Sequence, residues 1–306
     1  MNIVIVGQGA IGLLWYFKLS QQPQNTVSIQ VSQPHKPLPK FMSFTDTDNK
    51  KHRQKIYLSS KDDYKKADLV IYCLKAYAIE AAHHQYRSVI NDKASIIFSH
   101  NGILPSNKNS VCKVPEHNQL LMLMTHGSLL TAPFEIKHTG LGFCDLGNLA
   151  GESNPVQIKL ITATLNTALP DVYWQKNIIE KQWLKLAINC VINPLTALND
   201  CDNGELLTKK YQLTIKDILQ EFMMIAEVNK VIFNLDTLIA AVLMVANKTA
   251  NNCSSMRSDI LAKRKTEIDH INGFIHQEGV AHQVATPKNT QLWQEVKSRE
   301  ANEYSQ

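Results

Sequence analysis

The stretch NIVIVGQGAIGLLWYFKLSQQ, residues 2–22, decides the fold of the first half of the chain. It opens on a short apolar run, NIVIV, which is rich in β-branched residues and typical of a strand buried on both faces of a parallel sheet. A glycine turn, Gly7–Gly12, follows directly, and residues 13–22 have a helical composition. A strand, a tight turn and a helix in this order predict the start of a βαβ unit.

The glycine turn fits the pattern G-x-G-x-x-G, with Gly7, Gly9 and Gly12 at the required positions. The pattern alone is weak, because ordinary turns also use glycine, but here it lies between a strand and a helix, as a dinucleotide site requires. The first glycine permits the turn, the second lets the backbone approach a pyrophosphate, and the third brings helix and strand together. The helix N-terminus adds N–H donors. We therefore predict a dinucleotide-binding turn made of Gly7, Gln8, Gly9, Ala10, Ile11 and Gly12.

A missing acidic residue indicates which dinucleotide is bound. An NAD site usually has a carboxylate about 20 residues beyond the glycines, where it binds the ribose 2′-hydroxyl. Between Gly7 and Thr45 the chain has no Asp or Glu. The predicted second strand, 26–32, instead leads into polar and basic residues: Ser32, Gln33, His35 and Lys36. This pattern favours NADP over NAD, and the alternative is that these residues only form a solvated loop.

The remaining sequence divides into two predicted domains. Apolar strands at 68–75, 95–102 and 119–127 alternate with helical patterns, and GLGFCDLGN near 140–148 resembles a hairpin or an edge strand. From about residue 175 the chain is almost entirely helical, with predicted helices at 178–199, 207–233, 235–250, 254–280 and after Pro287. We therefore predict a Rossmann-type α/β domain with a parallel sheet over residues 1–175 and an all-α domain over residues 176–306.

Composition narrows the classes of partner. The net charge of the 306-residue chain is only +5, and no basic run with interleaved aromatic residues indicates a nucleic-acid partner. No apolar run reaches the roughly 18 residues of a membrane span, and the N-terminus lacks the pattern of a signal peptide. The six cysteines form no C-x-x-C pair, and the eleven histidines show no metal-ligand spacing. We expect a cytoplasmic protein with free thiols, no metal, and no nucleic-acid or membrane partner.

An unusual polar stripe lies in the segment WLKLAINCVINPLTALN, Trp183–Asn199. Lys185, Asn189 and Asn193 are spaced four apart, so a helix places them on one face while its other faces are apolar. Pro194 is expected to kink or end this helix. One interpretation is that Lys185 extends to solvent and the asparagines bind loop carbonyls. The other is a site that holds a small polar anion and uses the lysine as a proton donor.

A second candidate position follows later in the chain. The predicted helix 254–280 has Ser254 as a plausible N-cap residue. Glu267 lies on what would be the inner face of this helix, although a surface carboxylate is the ordinary alternative. On pattern alone, Glu267 has no assigned role.

Several motifs in one order resemble the ketopantoate reductase (2-dehydropantoate 2-reductase) family over nearly the whole chain. These motifs are IVGQGAIG, LKAY (74–77), HNG (100–102), WLKLAINCVINPLTAL, NGEL (203–206), SSM, TEIDHINGF and TPKNT. The resemblance implies that NADPH reduces ketopantoate, a small 2-oxo acid, to pantoate on the route to pantothenate and coenzyme A. It leaves open whether the protein is a monomer or a homodimer.

The resemblance also implies roles for particular residues. Lys185 matches the general acid of the family. The substrate-binding positions match Asn189, Asn193, Asn203 and Ser255, and further cofactor contacts match Lys75, Asn101, Glu267 and, more loosely, Ser128. Ser32 stands where an arginine is expected to bind the 2′-phosphate, so the preference for NADPH is weaker or Lys36 replaces that arginine. Two alternatives remain: a reductase of another 2-oxo acid, and a dinucleotide sensor without catalysis.

Overall fold

A computed structural model describes residues 1–32, 37–104, 117–150 and 154–304. By its internal contacts the chain divides into two compact units. The first contains the described residues of Met1–His100 and Ser106–Ile178, and the second those of Asn101–Pro105 and Ile179–Gln306. The short segment after His100 therefore belongs with the second half of the chain, which the sequence does not indicate.

The first unit alternates strands and helices, as predicted from the sequence. Its strands are β1 (Asn2–Val6), β2 (Thr26–Gln30), β3 (Phe41–Thr45), β4 (Lys51–Lys55), β5 (Leu69–Cys73), β6 (Ser95–Ser99), β7 (Asn118–Met124), β8 (Gly127–Ala132), β9 (Glu135–Gly140), β10 (Cys144–Ala150) and β11 (Val172–Gln175). Its helices are α1 (Ala10–Ser20), α2 (Lys61–Lys66), α3 (Ala76–Tyr86) and α4 (Pro155–Ala168). The predicted α/β class is confirmed.

The strands of the first unit form two sheets. The larger has the order β11-β10-β7-β6-β5-β1-β2, and every pair in it is parallel except β7 with β10. β5 and β6 are buried along their whole length, which explains their continuous apolar sequences. The smaller sheet has the order β4-β3-β9-β8 and was not predicted. GLGFCDLGN was wrongly expected to form a hairpin or an edge strand, because β10 lies between β7 and β11.

Helix α1 shows why the glycine turn has to be tight. This helix contacts strands of both sheets, so Trp15 and Tyr16 are fully buried and the helix is apolar on nearly every face. The turn must therefore lead the chain from the end of β1 directly into a helix that is buried by strands of both sheets. Because β1 and β5 are parallel neighbours with Val6 beside Tyr72, their carboxyl ends lie at the same edge of the sheet.

The second unit is helical. Its helices are α5 (Ile178–Asn199), α6 (Gln212–Val228), α7 (Leu235–Lys248), α8 (Ser255–Leu261), α9 (Asn272–His282) and α10 (Pro287–Tyr304). The first residue of α5, Ile178, still belongs to the first unit. Trp183 of α5 packs edge-to-face against Phe222 and Phe274 in the core of the second unit. Among the described helices none has the length and apolarity needed to cross a membrane.

Two predicted helices are divided into shorter elements. The helix predicted at 207–233 is shorter, because α6 covers only Gln212–Val228 and two 3₁₀ turns, Asn203–Leu207 and Lys209–Tyr211, precede it. The segment predicted at 254–280 ends its first helix at Leu261, because Lys263 has a positive φ of 52° that helical backbone does not permit. A 3₁₀ turn, Ile268–His270, precedes α9.

Helix α5 continues through Pro194, although the sequence predicts a kink or an end there. A proline has no N–H, so the carbonyl of Cys190, four residues earlier, loses its helical donor. The side-chain amide of Asn272 supplies the replacement, since its Nδ2 donates to the Cys190 carbonyl oxygen at 3.0 Å. Asn272 is fully buried, and its other donor bond goes to Asn289. The helix therefore reaches Asn199 in one piece.

We expect the replacement of Asn272 by alanine to destabilise the protein by about 1–3 kcal/mol, because it leaves the buried Cys190 carbonyl without a donor. The measurement is urea unfolding followed by circular dichroism. The control is a double-mutant cycle with Pro194→Ala, which restores the backbone donor to that carbonyl. Asn272→Ala should cost less in the Pro194→Ala background than in the wild type. Equal costs in both backgrounds would show that the Cys190 bond is unimportant.

Candidate functional site

The glycine turn has the backbone geometry that its sequence predicts. Gly7 has φ +118°, and a Cβ atom placed there would lie 2.3 Å from the carbonyl oxygen of Cys73. A Cβ atom at Gly12 would lie 2.1 Å from the carbonyl oxygen of Gly7. Both positions therefore require glycine for the fold itself, since no side chain fits between β1, β5 and α1.

Gly9 differs from the other two glycines, because a Cβ atom there would meet no other atom within 4 Å. Gly9 is also the N-cap residue of α1 and offers no side-chain cap, so the first N–H groups of the helix stay available. Next to it, the Gln8 Oε1 atom is buried without a hydrogen-bond partner. The Ser128 hydroxyl donates to the carbonyl of Ala10 at 3.1 Å and so ties β8 to the turn. Open space beside free N–H donors fits a dinucleotide pyrophosphate.

Lys75 follows β5 at the same sheet edge as the glycine turn, where it is the half-buried N-cap residue of α3. The preceding Cys73 is not a candidate nucleophile, because burial strongly raises the pKa of its thiol and keeps it neutral.

Ser32 is exposed and lies two residues beyond the end of β2. Gln33, His35 and Lys36 lie outside the described residues, so the structure leaves their predicted contact with a 2′-phosphate untested.

The polar stripe of α5 lies on one helical face in the second unit. Lys185 and Asn189 are half-buried, and Asn193 is only 6% exposed. In the described part of the chain, the side-chain amides of Asn189 and Asn193 make no hydrogen bond to another residue. Two amides that the fold does not use can bind an external polar group. The neighbouring Cys190 is inert, since complete burial raises the pKa of its thiol well above the ordinary value.

Asn203 and Ser255 lie in elements that follow α5 in the second unit. The backbone N–H of Asn203 donates to the Asn252 carbonyl at 3.2 Å, and the Asn203 Oδ1 atom is buried without a hydrogen-bond partner. Ser254 is confirmed as the N-cap residue of α8, and the Thr196 hydroxyl of α5 donates to its Oγ at 2.7 Å. Ser255 follows as the first, exposed residue of α8.

Glu267 and Asn101 form a direct pair within the second unit. The backbone N–H of Asn101 donates to one carboxylate oxygen of Glu267 at 3.3 Å, and the Asn101 side-chain amide donates to the other at 3.0 Å. Glu267 is 4% exposed, so the alternative of a surface carboxylate is wrong. Its predicted place within a helix is also wrong, because it directly precedes the 3₁₀ turn at Ile268. Burial lowers the pKa of the adjacent His270, although the Glu267 carboxylate opposes this effect.

The structure thus groups the predicted residues within each unit. The first unit brings Ser128 and Lys75 to the glycine turn, and the second joins Asn101 to Glu267 and aligns the α5 stripe.

Sequence reasoning missed Gln182, whose buried amide donates to the Gly102 carbonyl at 3.1 Å. Its position three residues before Lys185 places it near the stripe on the helix surface, and that spacing was the available signal.

Comparison with known proteins gives one family for the whole chain. Two family models match it, "Ketopantoate reductase PanE/ApbA" over residues 3–151 and "Ketopantoate reductase PanE/ApbA C terminal" over residues 177–300. The 2-dehydropantoate 2-reductase of Vibrio cholerae is 32% identical and that of Shigella flexneri 33%, with 98% of this chain covered in each case, and 98% and 96% of the two relatives.

Solved structures agree on the fold. A ternary structure of D-mandelate dehydrogenase with NADH and anilino(oxo)acetate superposes with a TM-score of 0.88 at 25% identity, covering 99% of both chains. A PanE/ApbA family ketopantoate reductase from Ralstonia eutropha JMP134 has a TM-score of 0.83 at 20% identity, with 98% of each chain covered. The fold, the family models and the relatives together indicate an oxidoreductase with a Rossmann-like unit. The chain belongs to the ketopantoate reductase family, as its motifs predicted.

Substitutions at Gly7 and Gly9 should distinguish a glycine that the fold requires from a glycine that dinucleotide binding requires. Gly7→Ala should lower stability by about 1–3 kcal/mol, the usual cost of a strained backbone conformation, and its Cβ would in addition collide with Cys73. Gly9→Ala should cost less than Gly7→Ala, about 1 kcal/mol or less in urea unfolding because alanine is a poorer N-cap residue, but should bind a nicotinamide dinucleotide more weakly in titration calorimetry. A Gly9→Ala protein with unchanged dinucleotide affinity would contradict the assignment of the turn.

Proposed function

We propose that this protein reduces 2-dehydropantoate to pantoate with NADPH, a step in the formation of pantothenate and coenzyme A. Family membership and the names of its relatives support this reaction. The observation that carries the proposal is the α5 stripe, where Lys185, the half-buried Asn189 and the 6% exposed Asn193 share one face of the helix. Neither a structural helix nor a dinucleotide sensor needs such a stripe.

The cofactor proposal rests on the first unit. The turn Gly7–Gly12 has the space and the donors for a pyrophosphate, and Lys75 and Ser128 stand beside it. The D-mandelate dehydrogenase structures contain NADH, which supports a nicotinamide dinucleotide here. When bound, this cofactor supplies the hydride for the keto carbon. Between Gly7 and Thr45 the chain has no acidic residue to bind a ribose 2′-hydroxyl, and this supports NADPH over NADH as the cofactor.

The roles of the chain's own side chains follow from their chemistry. A keto oxygen that gains negative charge during reduction needs a proton, and the Lys185 ammonium is the acid on the stripe. The amides of Asn189 and Asn193 can donate to the carboxylate and hydroxyl groups of the substrate, as can the side chains of Asn203 and Ser255. In this proposal Asn101 and Glu267 also contact the cofactor.

A second candidate function is the reduction of another 2-oxo acid with NADH. The superposition with D-mandelate dehydrogenase, at a TM-score of 0.88, is the observation that favours it. The exposed Ser32, in place of an arginine for the 2′-phosphate, is consistent with it. Both candidates use the same proton donor, and they differ in the group attached to the keto carbon and in the cofactor.

We expect ketopantoate with NADPH to give the highest kcat/KM in a matrix of two cofactors and several 2-oxo acids. The assay follows oxidation of the reduced nicotinamide and includes the 2-oxo acid that corresponds to mandelate. Because a ligand that binds the folded state more tightly stabilises it more, NADPH should also raise the melting temperature more than NADH at equal concentration. A preference for the aromatic 2-oxo acid with NADH would select the second candidate instead.

Replacement of Lys185 by alanine should lower kcat by about 10²–10⁴-fold, the usual contribution of a positioned general acid. The variant should still fold and bind NADPH, because the side chain is not part of the glycine turn. Lys185→Arg should not restore the rate, since a guanidinium is bulkier and does not release its proton near neutral pH.

The matched control is Lys181→Ala, which removes an exposed lysine one turn earlier on the same helix. It should leave kcat unchanged. Near-normal turnover of Lys185→Ala would contradict its role as proton donor and would favour a lysine that only extends to solvent. A wild type that binds NADPH but reduces no 2-oxo acid would favour a dinucleotide sensor.

A further inference from the structure

Gln182 extends the polar face of α5 by one turn. It precedes Asn189 by seven residues and Asn193 by eleven, so at 100° per residue it lies within about 20° of both on the helix surface. Its side chain is only 7% exposed. A buried amide on this face needs a hydrogen-bond partner, and the partner identifies what the residue does.

The partner of Gln182 is the backbone of the segment 101–104. The Nε2 atom donates to the Gly102 carbonyl at 3.1 Å, in a buried bond between residues 80 positions apart. Gly102 has φ +77°, and a Cβ atom there would lie 2.1 Å from the carbonyl oxygen of His270. The next residue, Ile103, donates its N–H to the same carbonyl at 3.0 Å. The segment is therefore fixed on two sides, by α5 and by the turn at 268–270.

The third attachment of this segment is Asn101, which makes two hydrogen bonds to Glu267. Ile103 also packs against the core of the second unit. Because the backbone atoms of Gly102 are adjacent to Asn101, a donor on α5 that holds the Gly102 carbonyl also fixes the place of the Asn101 side chain. Lys185 lies one turn further along the same helix, on the same side.

We infer that Gln182 is a positioning residue for the reductase reaction: through Gly102 it sets the Asn101–Glu267 pair at a fixed place relative to Lys185. This inference rests on the proposed function, in which Lys185 gives the proton and the pair contacts the cofactor. Gln182 itself binds a backbone carbonyl, so it acts through the segment 101–104. Misplacement of reacting groups by about 1 Å can cost up to about a hundredfold in rate.

The test compares two isosteric substitutions of equally buried glutamines. Gln182→Met removes the donor to Gly102 and keeps a similar volume. Gln22→Met makes the same substitution in the first unit, where Gln22 is also 7% exposed, its Nε2 donates to the Thr164 carbonyl at 3.4 Å and its Oε1 accepts from Gln24 and Asn25. Both variants should lose some thermal stability. Only Gln182→Met should lower kcat, by about 10- to 100-fold, with the KM for the keto acid changed less than kcat.

Two further measurements separate positioning from a general loss of structure. Hydrogen exchange should become faster in peptides that contain the N–H of Ile103, while peptides of the α5 core keep their protection. Gln182→Glu places a carboxylate at the same site, which cannot donate to a carbonyl until it is protonated. Its kcat relative to the wild type should therefore rise as the pH falls, whereas the ratio for Gln182→Met should stay flat.

The outcomes distinguish this inference from the proposed function. A wild type that reduces no 2-oxo acid would overturn the proposed function and the catalytic part of the inference. An active wild type with normal kcat in Gln182→Met would overturn the inference alone and leave Gln182 a purely structural residue. Unchanged exchange at Ile103 would show, with or without activity, that Gln182 does not hold the segment.

Discussion

The hydrogen bond from Asn272 to the Cys190 carbonyl is the interaction on which the second unit depends. Pro194 removes the helical donor of that carbonyl, and without a substitute α5 would end or bend in the middle of the polar stripe. Asn272 is held in turn by Asn289, whose own amide donates to the Ile218 carbonyl and to Glu221. One buried network therefore joins α5, α6, α9 and α10 and replaces the donor that Pro194 removes within the helix that carries Lys185, Asn189 and Asn193.

The same network explains two of the motifs on which the family resemblance rests. Asn272 belongs to TEIDHINGF and Asn289 to TPKNT, yet both amides serve the fold. Glu221 also accepts the backbone N–H groups of Lys288 and Asn289, which caps the first turn of α10. A motif can thus mark a family because it builds the helix that presents the site, without contacting a ligand itself.

The sequence predicted those features that depend on local pattern. The glycine turn, the buried strands β1, β5 and β6 and the polar face of α5 each follow from a short periodic segment. The small sheet was missed because β4 reads KHRQK, which has no apolar alternation and is mostly exposed. The bond of Gln182 to Gly102 was missed because it joins residues 80 positions apart. Glu267 was misplaced because a positive φ at Lys263 and side-chain bonds to the backbone at Thr266 and Ile268 interrupt the helical pattern.

The asparagines of the second unit show how structural and binding amides can be told apart. Asn272 and Asn289 are fully buried, and the nitrogen of each makes two hydrogen bonds within the protein. Asn189 is only half-buried and Asn193 is 6% exposed, and their amides bond to no other described residue. An amide that makes no hydrogen bond within the described protein keeps its donors and its acceptor for an external polar group. This difference supports the proposal that Asn189 and Asn193 bind the substrate beside Lys185, whereas Asn272 and Asn289 support the fold.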